Sequence, residues 1–318
     1  MSLLSVHNLK KYYSSGLVKK RHLIKALDGV SFDVKLGEVF GVIGESGCGK
    51  TTLGLVLSRL EKETDGEISF RGIKLSGKSK LDPDLRRQIQ IIFQNPYESF
   101  DPRLSIEQSL ILPMKINRIC NSHSEGRERI LAYMREAGFE PPESFLNRYS
   151  HELSGGQLQR ISIVRAMLLR PSFLVADECV SMLDLSVRAS VLNLLLDLVE
   201  REKTAVLFIT HDLSLAAHVC DRIMVLYLGK VMELSTAKCI KESPLHPYTR
   251  VLMSYSPSIF RKKEKISIKR LQMEIVDGSG CAFVSRCPFS FEKCIHQVPD
   301  LFEIEPGHLV ACWLYENQ

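Results

Sequence analysis

A chain of 318 residues, 45% hydrophobic and 25% charged, has the composition of an ordinary soluble globular protein, with room for one large domain or two smaller ones. Its 42 basic and 37 acidic residues leave a net charge of +5, too small to argue for a nucleic-acid partner, and none is expected. The opening MSLLSVHNLKKYY lacks the apolar core of a signal peptide, and no run approaches the roughly 18 apolar residues of a membrane span. The chain is therefore expected in the cytosol, with its nine cysteines as thiols or metal ligands rather than disulfides.

From the N-terminus, Leu3, Leu4 and Val6 alternate toward Lys10-Lys11-Tyr12-Tyr13. A basic, polar stretch over 14–25 follows, and ALDGVSFDVKLGE resumes strand-like alternation. Tyr13 has two readings, one more half-buried strand aromatic or a stacking face for a purine base, and Tyr12 competes with it. Residues 38–43 predict a short apolar strand and 52–60 the helix after it. Between them Gly44-Glu45-Ser46-Gly47-Cys48-Gly49-Lys50-Thr51-Thr52 fits G-x-x-x-x-G-K-[ST], the phosphate-binding loop of nucleotide triphosphatases. Its three glycines let the backbone wrap closely, so that successive N–H groups face one anion-sized concavity. The positive end of the following helix adds to that field. Lys50 is expected to reach the outer phosphates and Thr51 to offer its hydroxyl to Mg²⁺. A glycine-rich strand–helix turn ending in Lys-Thr by chance is the alternative, and the downstream segments weigh against it.

Residues 66–72 look like a hairpin strand, and 89–93 a short buried strand ending at Gln94. Asn95 to Arg103 is a turn-rich loop with two prolines. Residues 104–149 read as helical and polar, clearest over 105–112 and 127–137, an insertion between two halves of a nucleotide-binding core. In YSHELSGGQLQR, Ser154 reads as a helix N-cap, and Leu158, Ile161 and Leu168 form the apolar stripe of the helix it opens. The N–H groups of Gly155 and Gly156 would be ready for a phosphate there, although a glycine-softened cap would look similar.

Residues 172–176 form an almost wholly apolar strand ending in Asp177-Glu178. Packing explains such carboxylates poorly, since burial must desolvate them unless a metal or water compensates. Asp177 is expected to hold Mg²⁺ through water and Glu178 to polarise the water attacking the terminal phosphorus. Ser181-Met182-Leu183-Asp184 leads into a helix over 187–200. Another buried strand, 205–209, is closed by Thr210-His211-Asp212. A lone histidine is usually structural, but at a strand end shared with Asp177 and Glu178 it reads as a γ-phosphate contact. Residues 222–228 and 230–234 form a strand–turn–strand about Gly229, and 243–249 a capped turn into a short helix.

The tail begins near 256 with a basic linker, Arg261-Lys262-Lys263-Glu264-Lys265, and the alternation after it suggests short strands. Cys281, Cys287, Cys294 and Cys312 are separated by five, six and seventeen residues. That is not the C-x-x-C spacing of zinc ribbons or ferredoxin clusters, and spacing alone leaves a metal site and scattered buried thiols equally open.

The ordered set of phosphate loop, Gln94, Leu153-Ser154-Gly155-Gly156-Gln157, Asp177-Glu178, the 181–184 loop and His211 resembles the ATP-binding subunits of ABC transporters over roughly 1–255. GVIGESGCGKTTL, FQNPYESFDPR, YSHELSGGQLQR and SPLHPYTRVLMS, with the tail GCAFVSRCPF, resemble the dipeptide/oligopeptide importers more closely. The resemblance implies an α/β fold, a P-loop NTPase core of the ABC-ATPase type with an antiparallel β subdomain. It adds a helical subdomain at about 95–170 and a small Cys-rich C-terminal extension, giving domains 1–255 and 256–318. It implies an ATPase that powers import of di- or oligopeptides, with Glu178, His211 and Gln94 catalytic. Nucleotide contacts would come from Tyr13, Gly44, Glu45, Ser46, Gly47, Cys48, Gly49, Lys50, Thr51, Thr52, Ser154, Gly155, Gly156, Gln157 and Asp184. Thr51, Gln94 and Asp177 would serve Mg²⁺. In several such proteins four tail cysteines hold a [4Fe-4S] cluster, and Cys281, Cys287, Cys294 and Cys312 stand where those ligands would be.

Two such chains would meet head to tail, Ser154 to Gln157 of one gripping the γ-phosphate bound by the other. The implied partners are a second, usually different ATPase subunit, two permeases and an extracytoplasmic peptide-binding protein, at the cytoplasmic face of the cell membrane. The sequence departs from the common form at Cys179-Val180, where Pro-Thr or Pro-Val is usual, at Met182 in place of Ala, and at Leu158-Gln159-Arg160 in place of Arg-Gln-Arg. None removes a group that touches nucleotide, so an active ATPase is expected. Other readings are the same motor for nickel or a metal chelate, a non-transport ABC ATPase of DNA repair or ribosomes, and a tail acting as redox sensor or interaction module.

Overall fold

The computed structural model of the chain describes residues 2–15, 22–77, 82–254 and 279–316. The basic linker expected at 261–265, and the alternation directly after it, lie outside the described residues. The chain divides into two compact units, one chiefly of residues 78–207, the other of 2–34, 38–77 and 208–318.

The second unit begins with strands β1 (Ser2–Ser15) and β2 (His22–Lys35), then β3 (Val39–Ile43), the helix Lys50–Leu57, β4 (Asp65–Phe70) and β5 (Ile73–Lys74). One sheet has the order β2-β1-β4-β5, with β1 antiparallel to β4 and β4 to β5. This is the antiparallel β subdomain that the resemblance implies. Leu4 and Val6 on β1 are buried opposite Phe70 and Ile68 on β4, the alternation of a half-buried sheet, and Leu9 is buried beyond the register shift between His7 and Lys10. By contrast β3 is buried along almost its whole length, the mark of a strand covered on both faces.

In the first unit β6 (Ile89–Ile92) pairs in parallel with β7 (Phe173–Asp177), from Ile89 opposite Phe173 to Ile92 opposite Ala176. Between them lie the helices Ile106–Ile116, His123–Glu136, Glu143–Leu146 and Gly155–Met167. Ser105 opens the first with a capping box to Gln108, and Ser122 caps the second. The first helix, clearest in the sequence over 105–112, runs on through Pro113 to Ile116. Proline inside a helix costs about 3 kcal/mol. Ile106, Leu110 and Met114, one face at i, i+4 and i+8, are each fully buried, at about 1.5–3 kcal/mol apiece, and outweigh it. The helix Leu185–Glu202 follows β7 and ends at Lys203, in the left-handed region at φ +53. Strand β8 (Ala205–Thr210) comes next, and the division between the units falls within it.

Beyond β8 the second unit continues with the helix Leu213–Val219, β9 (Arg222–Tyr227), β10 (Lys230–Thr236), the helix Pro247–Ser254, β11 (Phe302–Glu305) and β12 (His308–Val310). Strand β3 lies parallel to β9, with Phe40 opposite Arg222. Leu228 and Gly229, both at positive φ, turn β9 back into antiparallel β10, as the strand twist favours. The tail then adds β12 antiparallel to β10, and β11 to β12. Among the described residues no helix is long and apolar enough to cross a membrane.

Candidate functional site

The phosphate loop is wound in a way that only glycine permits at its critical turn. Gly49 has φ +108, and a Cβ there would come within 2.2 Å of the Ala26 carbonyl oxygen. The helix starts directly after it at Lys50, two residues before the start predicted at 52, because the first turn of a helix can be polar. It ends at Leu57 rather than 60: Arg59 turns left-handed at φ +61, and the Leu60 N–H bonds the Leu55 carbonyl at 2.9 Å, a C-terminal lock. Lys50 is only 5% exposed, and its Nζ donates to the carbonyls of Gly44 at 2.8 Å and Glu45 at 3.0 Å. A phosphate oxygen entering the loop would compete with those carbonyls for the ammonium. Cys48 is buried with its Sγ 3.9 Å from that Nζ, and burial pushes its thiol up and keeps it neutral. Ser46, Gly47 and Thr51 are exposed, and Thr52 is half-buried.

Glu45 is held from outside the loop. Its N–H donates to the Tyr248 hydroxyl at 2.9 Å. Both of its carboxylate oxygens accept from Arg286, at 2.7 and 2.8 Å. Sequence reasoning singled out neither Tyr248 nor Arg286, which lie 203 and 241 residues further along the chain.

Of the two candidate stacking aromatics, Tyr12 is tied by its hydroxyl to Asp28 Oδ1 at 2.5 Å. Burial and that carboxylate push its ionisation up to about 12. Tyr13 is half-buried on β1, with the Lys11 ammonium 4.8 Å from its ring centre. His211 is exposed directly after Thr210, and Asp212 behind it caps the helix Leu213–Val219 through the Leu215 N–H.

In the other unit, Asp177 ends β7 with 4% of its surface exposed. Glu178 follows at φ +45, a left-handed conformation that an ordinary side chain adopts at a cost of about 1–3 kcal/mol. Gln94 Nε2 donates to Glu178 Oε2 at 3.1 Å and sits 3.5 Å from Ser181 Oγ, which itself donates to the Glu178 carbonyl. Three residues picked separately from the sequence thus share one contact. Asp184 is exposed at the start of the helix Leu185–Glu202. Ser154 caps the helix Gly155–Met167 as expected, in a reciprocal box with Gln157 at 3.3 and 3.0 Å. Leu158, Ile161 and Leu168 are fully buried. Two contacts tie the 95–103 loop to this segment. The Tyr97 hydroxyl donates to the Leu153 carbonyl at 3.1 Å, and Arg165, on the helix, donates to the Ser99 carbonyl.

The four tail cysteines line one cavity together with His246 and Phe283. Burial pushes Cys281 up to about 11 and Cys312 to about 12, and the neighbouring cysteines add to both. Among the described residues no group of three or more His, Cys, Asp or Glu stands as a site for a metal ion.

Residues 27–181 match the family described as ABC transporter, and 232–294 the family described as oligopeptide/dipeptide transporter, C-terminal region. The chain is 43% identical to the di/tripeptide transport ATP-binding protein DppF of Pseudomonas aeruginosa (strain UCBPP-PA14), covering 98% of this chain and 97% of that one. It is 41% identical to the oligopeptide transport ATP-binding protein AppF of Bacillus subtilis (strain 168), over 99% and 98%. Among solved structures it resembles the dimeric ATP-binding cassette MJ0796 in a post-hydrolysis state bound to ADP and Pi. The TM-score there is 0.65 at 31% identity, over 74% of this chain and 98% of that one.

Proposed function

We propose, for a chain that belongs to the ATP-binding proteins of oligopeptide/dipeptide ABC transporters, a role as the ATP-hydrolysing subunit that powers import of di- and oligopeptides through partner permeases. The observation that carries this reading is the loop from Gly44 to Thr51, wound on positive-φ glycines with a buried Lys50 turned onto its own carbonyls. Such a loop presents N–H groups and one cation to a triphosphate.

Each residue has a stated task. Lys50 exchanges its carbonyl partners for outer phosphate oxygens, and Tyr13 offers its ring to the base. Thr51 and the buried Asp177 supply hard oxygen donors of the kind that hold Mg²⁺, which offsets charge on the phosphates. Glu178, oriented by Gln94, polarises the attacking water, and His211 contacts the γ-phosphate. The glycine-capped helix start, Ser154 to Gln157, is exposed or half-exposed and free of any positive-φ demand, ready to meet a nucleotide on a neighbouring subunit. The dimeric state of MJ0796 supports a pairing of two such chains, here read as head to tail. Asp184 serves the same nucleotide contact. Binding of ATP then closes the pair and hydrolysis releases it. Gln94 and the 95–103 loop, tied to Leu153 through Tyr97, report that state to two permeases, with an extracytoplasmic binding protein delivering peptide. The second ATPase subunit is a homologue, and the chain works peripherally at the cytoplasmic face of the membrane. The ATPase part is 1–255 and the extension 256–318.

The tail cysteines are assigned to a [4Fe-4S] cluster. Four thiolates are its donor set, and here four thiols converge on one cavity. Cys281, Cys287, Cys294 and Cys312 would hold such a cluster, which would cross-link the segments that carry them. Iron and acid-labile sulfide in anaerobically purified protein test this, and their absence would return the four residues to free thiols.

Glu178→Gln tests the motor. The full chain, with its partner ATPase, is expected to form a stable ATP-dependent pair while steady-state hydrolysis drops by about a hundredfold or more. Undiminished hydrolysis would refute the assigned role.

A further inference from the structure

The Cys-rich extension reaches the phosphate loop itself. Arg286 stands one residue before Cys287, in the short 3-10 turn Val284–Arg286. That turn is fixed by the Val284 N–H on the Cys281 carbonyl at 3.0 Å and the Arg286 N–H on the Phe283 carbonyl at 3.1 Å. From there the guanidinium meets the Glu45 carboxylate fork to fork, at 2.7 and 2.8 Å, a geometry that fixes direction as well as distance. Its planar face lies 5.8 Å from the Tyr227 ring centre and 5.7 Å from that of Phe283. Tyr227 packs 4.6 Å from Tyr248, the residue whose hydroxyl accepts the Glu45 N–H. Glu45 is therefore gripped at side chain and main chain by the same aromatic cluster, while Lys50 holds its carbonyl.

The sign of the charge matters here. Glu45 is a fixed negative charge in a loop that must accept a triphosphate. The hydrogen bonds from Arg286 hold its carboxyl below the usual carboxylate range, so it is ionised at neutral pH. Left unpaired, it would repel the incoming phosphates and draw the Lys50 ammonium toward itself. Side-chain exposures of 31% for Arg286 and 39% for Glu45 leave the pair open enough that its partner decides how much of that charge is felt.

We propose that Arg286 is a positioning residue of the nucleotide site: by orienting and neutralising Glu45, the C-terminal extension sets the affinity of the phosphate loop for MgATP. This rests on the nucleotide reading above. The test is calorimetric titration of the full chain with MgATP. Arg286→Ala should weaken binding about threefold to tenfold, and Arg286→Lys less, because it keeps the charge and loses the fork. The double variant Glu45→Gln/Arg286→Ala should bind within about twofold of Glu45→Gln alone, although it lacks the same tail contacts, because no carboxylate is left for Arg286 to neutralise. Unchanged affinity in Arg286→Ala, or a loss as large in the Glu45→Gln background as in the unaltered one, would each overturn the inference. An unaltered chain that fails to bind MgATP would instead overturn the nucleotide reading, and this inference with it.

Discussion

Replacing Gly155 by alanine separates what the fold requires from what a nucleotide requires. Gly155 is the first residue of the helix Gly155–Met167, and a Cβ there would meet no described atom within 4 Å beyond its chain neighbours and its own helix backbone. Nothing within this chain's described structure therefore asks for glycine at 155. Gly156 differs, since its Cβ would come within 2.6 Å of Val187 Cγ1, on a side chain stiff about χ1. Alanine for glycine in a helix interior gains about 0.5–1 kcal/mol, and half of that is a fair figure at the first position. For a chain of this size that is about 0.4–0.7 °C in melting temperature, so replicate scans by calorimetry are needed to read its sign. A phosphate approaching the 155 N–H to hydrogen-bond distance has no room for the added methyl, so ATPase activity should fall at least about tenfold, or ~1.4 kcal/mol in the barrier. Stability and activity should thus move in opposite directions in Gly155→Ala, and fall together in Gly156→Ala. A stable Gly155→Ala protein with full activity would mean that no phosphate docks on this helix start. A destabilised one would mean that the helix start carries a constraint other than the one described.

Two further substitutions probe the balance of buried polar groups. Gln159 is 1% exposed, and neither its Oε1 nor its Nε2 has a hydrogen-bond partner among the described residues. Such an amide costs about 1–3 kcal/mol, so Gln159→Leu should raise the urea midpoint by the equivalent of about 1 kcal/mol, and a lowered midpoint would show that the amide is paired. Burial pushes the Glu63 carboxyl up, but the Gly77 N–H, its own backbone N–H and Arg59 together hold it below the ordinary range. Its contribution is therefore complete above the usual carboxylate pKa and lost as the pH falls through that value and below it. Glu63→Gln should cost about 1–2 kcal/mol at pH 7 in urea unfolding, the gap from the unaltered chain should close toward acid pH, and a gap that stays constant would refute the ionic account.

What the sequence made legible is what its chemistry keeps contiguous. A loop that wraps a phosphate must draw its N–H groups from successive residues, and a capping box must span three, so Gly44 to Thr51 and Ser154 to Gln157 announce themselves. Asp177 was legible because a carboxylate ending an apolar run has no packing explanation. The helical reading of 104–149 stands at Pro113 although proline disfavours a helix interior, because burial of Ile106, Leu110 and Met114 carries the helix past it. Gln94 and Glu178 were each singled out, yet their contact, 84 residues apart in the chain, carries no periodic signal. The grip of Arg286 on Glu45 was the least legible of all. An arginine before Cys-Pro and a glutamate after Gly44 look like ordinary solvated charges until the fold brings them together.

The attachment of the tail to the rest of its unit follows the same logic of compensated charge. Glu233, on β10, is fully buried, and an isolated carboxylate there would be costly. It accepts from the Leu245 and His246 N–H groups at 2.8 and 2.9 Å, and His308 Nε2 on β12 completes the set at 2.8 Å. The tail strand therefore does more than extend a sheet: it supplies a donor to a carboxylate that the core has already buried. His246, whose N–H serves Glu233, also lines the cysteine cavity and accepts the Tyr248 N–H at 3.0 Å. Tyr248 in turn meets Glu45 in the phosphate loop. A hydrogen-bonded carboxylate, Glu233 with His308, and an ion pair, Glu45 with Arg286, thus flank the four cysteines. His246, which lines that cavity, is one hydrogen bond away from Tyr248, which itself touches the phosphate loop.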